Sequence, residues 1–215
     1  MRYGPKSRSR SSRRGRLLWR FIEQEILAGA NPDDRFFLRR TSILTLLSGP
    51  LCDAVLDRSD SRARLARLAE CDLLAQPLDR TGESFRMHGL FAEALRTSLE
   101  RESAAEVPAL HRRAAAWFAE RSEWRPAITH ALAGGDTATA VDLLWGMAPD
   151  YIANGRSGEL PLLVAQFDSR ARVGHPELDA ILAWTSFMAS DADRRSPCSH
   201  GSRATPIPSF PTAAR

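Results

Sequence analysis

Apolar residues spaced three and four positions apart recur from about residue 17 to about residue 190, and this spacing predicts a series of short amphipathic helices. The clearest stripe lies in residues 90–99 and directly follows a short strand-like segment at 84–87. Its apolar members are Leu90, Phe91, Ala94, Leu95 and Leu99. We expect this helix to turn the whole stripe, including Leu90 and Phe91, toward a hydrophobic core.

The pattern before this helix predicts a winged-helix-like domain at residues 17–104. Residues 73–78 and 84–87 are typical of two short strands, and the segment between them contains Gly82 and other turn-forming residues. Four further helices are predicted upstream, at residues 17–27, from Asn31 to about 43, at 51–56 and at 62–70. Helices followed by a two-stranded wing and a closing helix are characteristic of this fold.

After residue 103 only the helical period remains. Stripes in residues 107–118, 124–132 and 140–147 are separated by stop and start signals, of which Gly134-Gly135 followed by Asp136 is the clearest. Further helices are predicted at 160–167 and 178–189. Short helices in series predict a TPR-like alpha-solenoid at residues 105–190, although their spacing matches the 34-residue TPR period only loosely. The fold class is therefore mainly α, with disordered basic tails.

The two tails carry the positive charge of this chain. Its formal net charge is +4, yet residues 1–22 hold eight basic groups and no acid, and residues 194–215 hold four and no acid. Residues 23–193 therefore have 18 basic and 26 acidic groups. Residues 1–16 are predicted to be a disordered arm, either for nucleic acid or without a role. Residues 191–215, rich in proline, are predicted to be a disordered or frame-shifted tail.

Cysteine and histidine usage points away from metal sites and from catalysis. The three cysteines are far apart and form no CxxC pair, which indicates neither a disulfide framework nor a zinc site and favours the cytoplasm. His111 and His130 lie on alanine-rich stripes and are expected to be packing groups. We find no catalytic triad or carboxylate pair, so the chain is not predicted to be an enzyme. No apolar run is long enough for a membrane helix.

Five blocks of sequence together resemble the middle of the large LuxR-family transcriptional regulators of MalT type. They are residues 37–44, 47–55, 87–91, 110–118 and 127–136. Members of that family are signal-transducing ATPases of the STAND class, in which a nucleotide-binding domain precedes a winged helix, a TPR-like sensor array and a DNA-binding helix-turn-helix. The resemblance implies that this chain is a truncated fragment that holds the two middle parts and catalyses nothing by itself.

The resemblance also implies a role for His88. In related ATPases a Met-His-Asp stretch at this helix start places its histidine against the phosphates of bound ADP. Met87 and His88 match that stretch, and Gly89 replaces the acid. No cofactor is expected in this chain alone, since ATP or ADP would be held by an ATPase domain. The implied partners are that domain or another protein, and a small-molecule or protein effector for the array, with DNA involved only indirectly.

Direct DNA binding is the alternative function. Winged helices often insert a helix into the major groove, and basic side chains on the helix and wing then contact phosphates. The candidates are Arg62, Arg64, Arg67, Arg80 and Arg86. Acidic residues in the same neighbourhood, such as Asp60 and Glu83, count against this interpretation, which would make the chain a stand-alone winged-helix transcription factor.

Overall fold

The computed structural model describes residues 31–70, 75–77 and 83–195, without the side chains of 75–77 and 189–195. The helix predicted at 17–27, the basic arm, Arg80 and the tail beyond residue 195 lie outside the described residues. Within them the protein is mainly helical, as the hydrophobic pattern predicts.

Three helices and one strand precede the wing. They are α1 (Pro32–Thr41), β1 (Leu47–Ser48), α2 (Gly49–Leu56) and α3 (Ser61–Glu70). The start of α1 is fixed by Asn31, whose side chain accepts a hydrogen bond of 2.8 Å from the backbone N–H of Asp34. The helix ends before Ile43, which is nevertheless buried. These positions confirm the predicted helices at 51–56 and 62–70.

The wing is a three-stranded antiparallel sheet in the order β1-β3-β2. Its other strands are β2 (Ala75–Pro77) and β3 (Ser84–Arg86), close to the predicted hairpin. The central strand β3 also pairs with β1, where Leu47 lies opposite Phe85. Strand β1 is not predicted from the sequence, because two residues are too short to show an alternating pattern and the partner strand is distant along the chain.

Seven α-helices follow among the described residues. They are α4 (Gly89–Glu102), α5 (Val107–Glu120), α6 (Trp124–Ala133), α7 (Thr137–Ala153), α8 (Leu160–Val164), α9 (Ser169–Gly174) and α10 (Pro176–Arg195), with a 3-10 turn at Ser157–Glu159 before α8. Helix α9 is not predicted, since it is a single short turn with little apolar content. Helix α10 continues past the predicted boundary at residue 190.

Three helices of the array end in the same way. Helices α5, α6 and α7 are each followed by a residue with positive φ, namely Ser122, Gly135 and Gly155. The next N–H then returns to a carbonyl five residues back, as in the bonds Glu123 to Phe118, Asp136 to Ala131 and Arg156 to Tyr151, of 3.0, 2.9 and 2.7 Å. The predicted stop at Gly134-Gly135 is confirmed, and Asp136 caps α7 through the N–H of Thr139 at 3.1 Å.

The hydrophobic core does not divide at the predicted boundary of residue 104. One buried cluster joins winged-helix residues such as Phe37 and Leu95 to Leu110 and Ala114 of α5. A second cluster joins α5, α6 and α7 to α8 and α10. Helix α5 thus contributes to both, and the winged helix and the first helices of the array are packed as one continuous body.

Among the residues described, no helix is both long enough and apolar enough to cross a lipid bilayer.

Candidate functional site

The passage from β3 into α4 sets which side chains face solvent. Along the extended segment Phe85 and Met87 are buried, whereas Arg86 and His88 are exposed, as alternation along a strand requires. In the first turn of α4, Phe91 is buried but Leu90 is 54% exposed. The expectation that Leu90 belongs to the core is therefore wrong: it lies at the margin of the apolar stripe, outside the buried cluster.

His88 occupies the N-cap position of α4. Its backbone is non-helical, with φ −57° and ψ 132°, and its imidazole makes no capping hydrogen bond. Its carbonyl accepts the N–H of Ala92 at 2.9 Å, so the helix begins directly after it. The first N–H groups of a helix have no partner within that helix, and together with an imidazole they favour an anionic ligand. The histidine singled out in the sequence is therefore placed where an incoming phosphate could reach it.

The four candidate DNA-contacting arginines that the structure describes do not form one basic surface. The side chain of Arg62 is 79% exposed and pairs with Glu83 at 2.5 Å. That of Arg67 is 52% exposed and pairs with Asp34, also at 2.5 Å. Arg86 is exposed on β3. Carboxylates thus lie beside two of the three exposed guanidinium groups and reduce the positive field that a phosphate backbone needs.

Arg64 has a structural position instead. It is only 8% exposed. Its guanidinium bonds Asp34 at 2.6 Å and Asp60 at 3.1 Å, and it also pairs with Asp33. A buried guanidinium that is bound to three carboxylates cannot extend into a DNA groove, so the structure separates Arg64 from the other candidates.

This ion-pair cluster was not predicted from the sequence. From the sequence, the acids at the start of α1 are explained by the helix dipole and the arginines of α3 by phosphate binding. The cluster also includes Arg58, which donates to Asp60 at 2.8 Å. Hydrogen bonds from Arg58 and Arg64 lower the pKa of Asp60 to about 2. The sequence does contain a signal for this cluster: two adjacent aspartates on α1, and arginines three residues apart on α3. It does not show that α1 and α3 are neighbours.

A groove with a volume of about 200 Å³ runs between α5 and α7. Its floor and walls are small or apolar side chains, and its rim carries charge. The lining residues are Arg112, Ala115, Ala116, Ala119, Ala131, Asp136, Thr139 and Leu143. Arg112 is held at the rim by a hydrogen bond of 3.1 Å to the carbonyl of Gly134. A Cβ on Gly134 would lie 3.0 Å from Arg112 Cγ, so a larger residue there would displace the Arg112 side chain by a few tenths of an ångström.

Helices α5 and α6 bring His111 and His130 together. Their Nδ1 atoms are 2.8 Å apart. The ring of His130 stacks on Phe118 with a centroid distance of 5.5 Å and an interplanar angle of 18°. The structure therefore confirms packing positions for both rings and adds a specific polar contact between them, which stripe spacing alone could not show.

Comparison with known proteins bears on the winged helix directly. The family model described as the MalT winged helix domain matches residues 23–107. This chain contains a MalT-type winged helix. The matched range agrees with the helices and sheet described above, and it ends at the first residue of α5.

Longer relatives extend the similarity into the array. The chain is 31% identical over 172 residues to proteins named serine/threonine-protein kinase PknK from two strains of Mycobacterium tuberculosis and from Mycobacterium bovis. The alignments cover 80% of this chain but only 16% of each of those proteins. The chain thus spans about one sixth of the length of these relatives.

Proposed function

We propose that this chain supplies the winged-helix arm and part of the effector-sensing array of a MalT-type, ATP-dependent transcriptional regulator, and that it catalyses no reaction by itself. In this proposal the array is of the TPR-like kind, and the regulator belongs to the LuxR family and the STAND class. The observation that carries the proposal is the exposed His88 at the start of α4 within a MalT-type winged helix.

The chemistry of this position supports contact with a phosphate edge. The imidazole is exposed and can donate a hydrogen bond, the helix dipole favours a negative charge there, and the ring makes no capping hydrogen bond to its own helix. His88 and the first N–H groups of α4 can contact one side of a phosphate group. A nucleotide-binding domain outside this chain must supply the remaining contacts to ADP, as the family resemblance implies.

The test is the affinity for ADP of a complex between this chain and the nucleotide-binding domain of a MalT-type regulator. A charge-assisted hydrogen bond contributes about 1.5–3 kcal/mol, so we expect His88→Ala to weaken ADP binding by about 10-fold to 100-fold. His175→Ala, at the start of α10, is the matched control and should leave the affinity unchanged. Equal ADP affinity for wild type and His88→Ala would refute the role of His88.

We propose the groove between α5 and α7 as the contact point for an effector on the array. Its volume of about 200 Å³ is below the range of about 300–1,000 Å³ that is usual for small-molecule pockets. It is suited to a single apolar side chain inserted from a protein effector. Ala116→Arg would fill the groove from its exposed wall and should abolish effector binding, while Ala138→Arg, also exposed but outside the groove, should not.

Direct DNA binding is the second candidate, and the exposed Arg62 and Arg86 are the observations that favour it. An electrophoretic shift assay over a range of salt concentrations tests it. If the winged helix binds DNA, the affinity should fall steeply with salt, and the slope should decrease by about one for each phosphate-contacting arginine removed. If Arg62→Ala and Arg86→Ala keep the wild-type dependence of affinity on salt, the winged helix does not bind DNA through them. Loss of the gel shift when residues 1–16 are deleted would likewise exclude this function for the winged helix.

A further inference from the structure

The contact between His111 and His130 restricts which ring nitrogens of the two residues can carry a proton. A hydrogen bond between two Nδ1 atoms 2.8 Å apart needs one N–H and one lone pair. When both rings are neutral, one must therefore be the Nδ1–H tautomer and the other the Nε2–H tautomer. One additional proton is tolerated, because an imidazolium can donate to a neutral ring. Two additional protons would place N–H against N–H and break the contact.

The surroundings of the pair oppose added protons. Arg96 on α4 is the charged group that faces both rings from the winged helix, and it is fixed by a hydrogen bond of 3.1 Å to the carbonyl of Ser42. From α5, the titratable group that lowers the pKa of His130 is His111. Among the described residues, no carboxylate contributes to the pKa shift of either ring. Burial, then the charges of His111 and Arg96, lower the pKa of His130 to about 4.

The histidine pair also lies where the two buried core clusters meet. Helix α5 is part of the core cluster that includes the winged helix, while most of α6 packs in the second cluster with α7 and α8. We propose that the His111–His130 contact is a proton-sensitive latch that holds α6 against α5, the helix that is shared with the winged-helix core, and that it opens when both rings are protonated. Protonation of both rings adds two positive charges beside Arg96, and their repulsion drives α6 away from α4 and α5.

The first test is ¹⁵N NMR of the histidine rings in the intact wild-type chain. At pH 7.5 we expect one of the two rings as the Nδ1–H tautomer and the other as the Nε2–H tautomer. On titration, both rings should protonate below pH 6.5. Two Nε2–H rings at pH 7.5, or ordinary titration near 6.5 for both, would overturn the latch without any variant having to fold.

The second test is thermal unfolding between pH 7.5 and pH 4.5. Unfolded histidines titrate near 6.5, and the folded pair titrates lower, so the unfolded state binds more protons in this interval. The midpoint should therefore fall by several degrees as the pH falls from about 6.5 toward about 4. The pKa of Asp60, about 2, places its own effect below this interval.

Variants separate the latch from general acid sensitivity. His111→Asn should lower the midpoint at pH 7.5 and flatten its dependence between pH 6.5 and 4.5, whereas His175→Asn should keep the wild-type slope. In wild type, hydrogen exchange of α6 amides, corrected for the intrinsic rate, should accelerate at pH 5 more than that of α3 amides. A wild-type slope in His111→Asn, or equal acceleration in α3 and α6, would contradict the latch.

Discussion

The winged helix and the helical array differ in how far along the chain their stabilising contacts reach. In the winged helix, Leu47 pairs with Phe85 across the sheet, and Arg64 bonds Asp34 of another helix. In the first part of the array, α5 packs on α6 and α6 on α7, each helix against the next in sequence, whereas α10 returns to pack on α7 and α8. The winged helix is thus held together by distant partners and the first helices of the array by neighbours, as in a repeat structure.

This difference has a consequence for cooperativity. A substitution in the winged helix removes contacts that several elements share, whereas one at a helix end in the array affects one turn. Helix α5 links the two regimes, because Leu110 and Ala114 belong to the winged-helix core while Ala115 belongs to the core of the array. The two regions should therefore unfold together unless a substitution weakens this link.

The largest expected change in stability comes from Phe91 of α4, and its neighbour Leu90 is the matched comparison. Phe91→Asp places a charge in the core, since Phe91 is 7% exposed, and should destabilise the chain by about 3–5 kcal/mol or more. Leu90→Asp should change stability by about 0.5 kcal/mol or less, because Leu90 is 54% exposed. Urea unfolding followed by circular dichroism measures both. Similar losses in the two variants would mean that α4 is rotated from its described orientation.

A second comparison concerns ion pairs in the two regions. Asp34 is 6% exposed and accepts hydrogen bonds from Arg64 and Arg67. Breaking a buried pair usually costs about 3–5 kcal/mol, and because Arg64 keeps two other carboxylates we expect about 2–3 kcal/mol for Asp34→Ala.

The matched change in the array is Arg172→Ala, which removes a surface pair with Asp179 at 3.1 Å. It should cost between about 0 and 1 kcal/mol. Urea unfolding of both variants at low salt and at about 0.5 M salt measures the two free energies. About 0.5 M salt is enough to screen a surface ion pair. A loss for Arg172→Ala as large as that for Asp34→Ala would remove the contrast between the regions.

The smallest effect tests the shared helix endings of the array. Ser122 has φ 58°, a conformation that costs a residue with a side chain about 1 kcal/mol relative to glycine. Ser122→Gly should therefore stabilise the chain by about 0.5–1 kcal/mol. Gly135→Ala, at φ 73° with open space around the added Cβ, should destabilise it by about 1 kcal/mol for the same reason. Changes of the same sign in the two variants would exclude a common turn geometry.

Predictions from the sequence were most accurate where the signal is local. The caps at Asn31 and Asp136, the stop at Gly134-Gly135 and the core position of Phe91 all follow from neighbouring residues, and the structure bears them out. The exposure of Leu90 is not predicted, because an apolar stripe shows which face of a helix is buried but not how wide a surface packs against that face. The candidate site at His88 was found through its resemblance to a family, and the structure adds its exposed N-cap position.

The sequence by itself determined the helical character of the chain, the order of its helices and most of their ends, because capping and apolar periodicity act over a few residues. Only the tertiary structure decided that β1 joins the sheet, that Arg64 is buried among aspartates, and that His111 meets His130. Each of these depends on which distant segments become neighbours. That is settled by the packing of the whole core, and no local pattern records it.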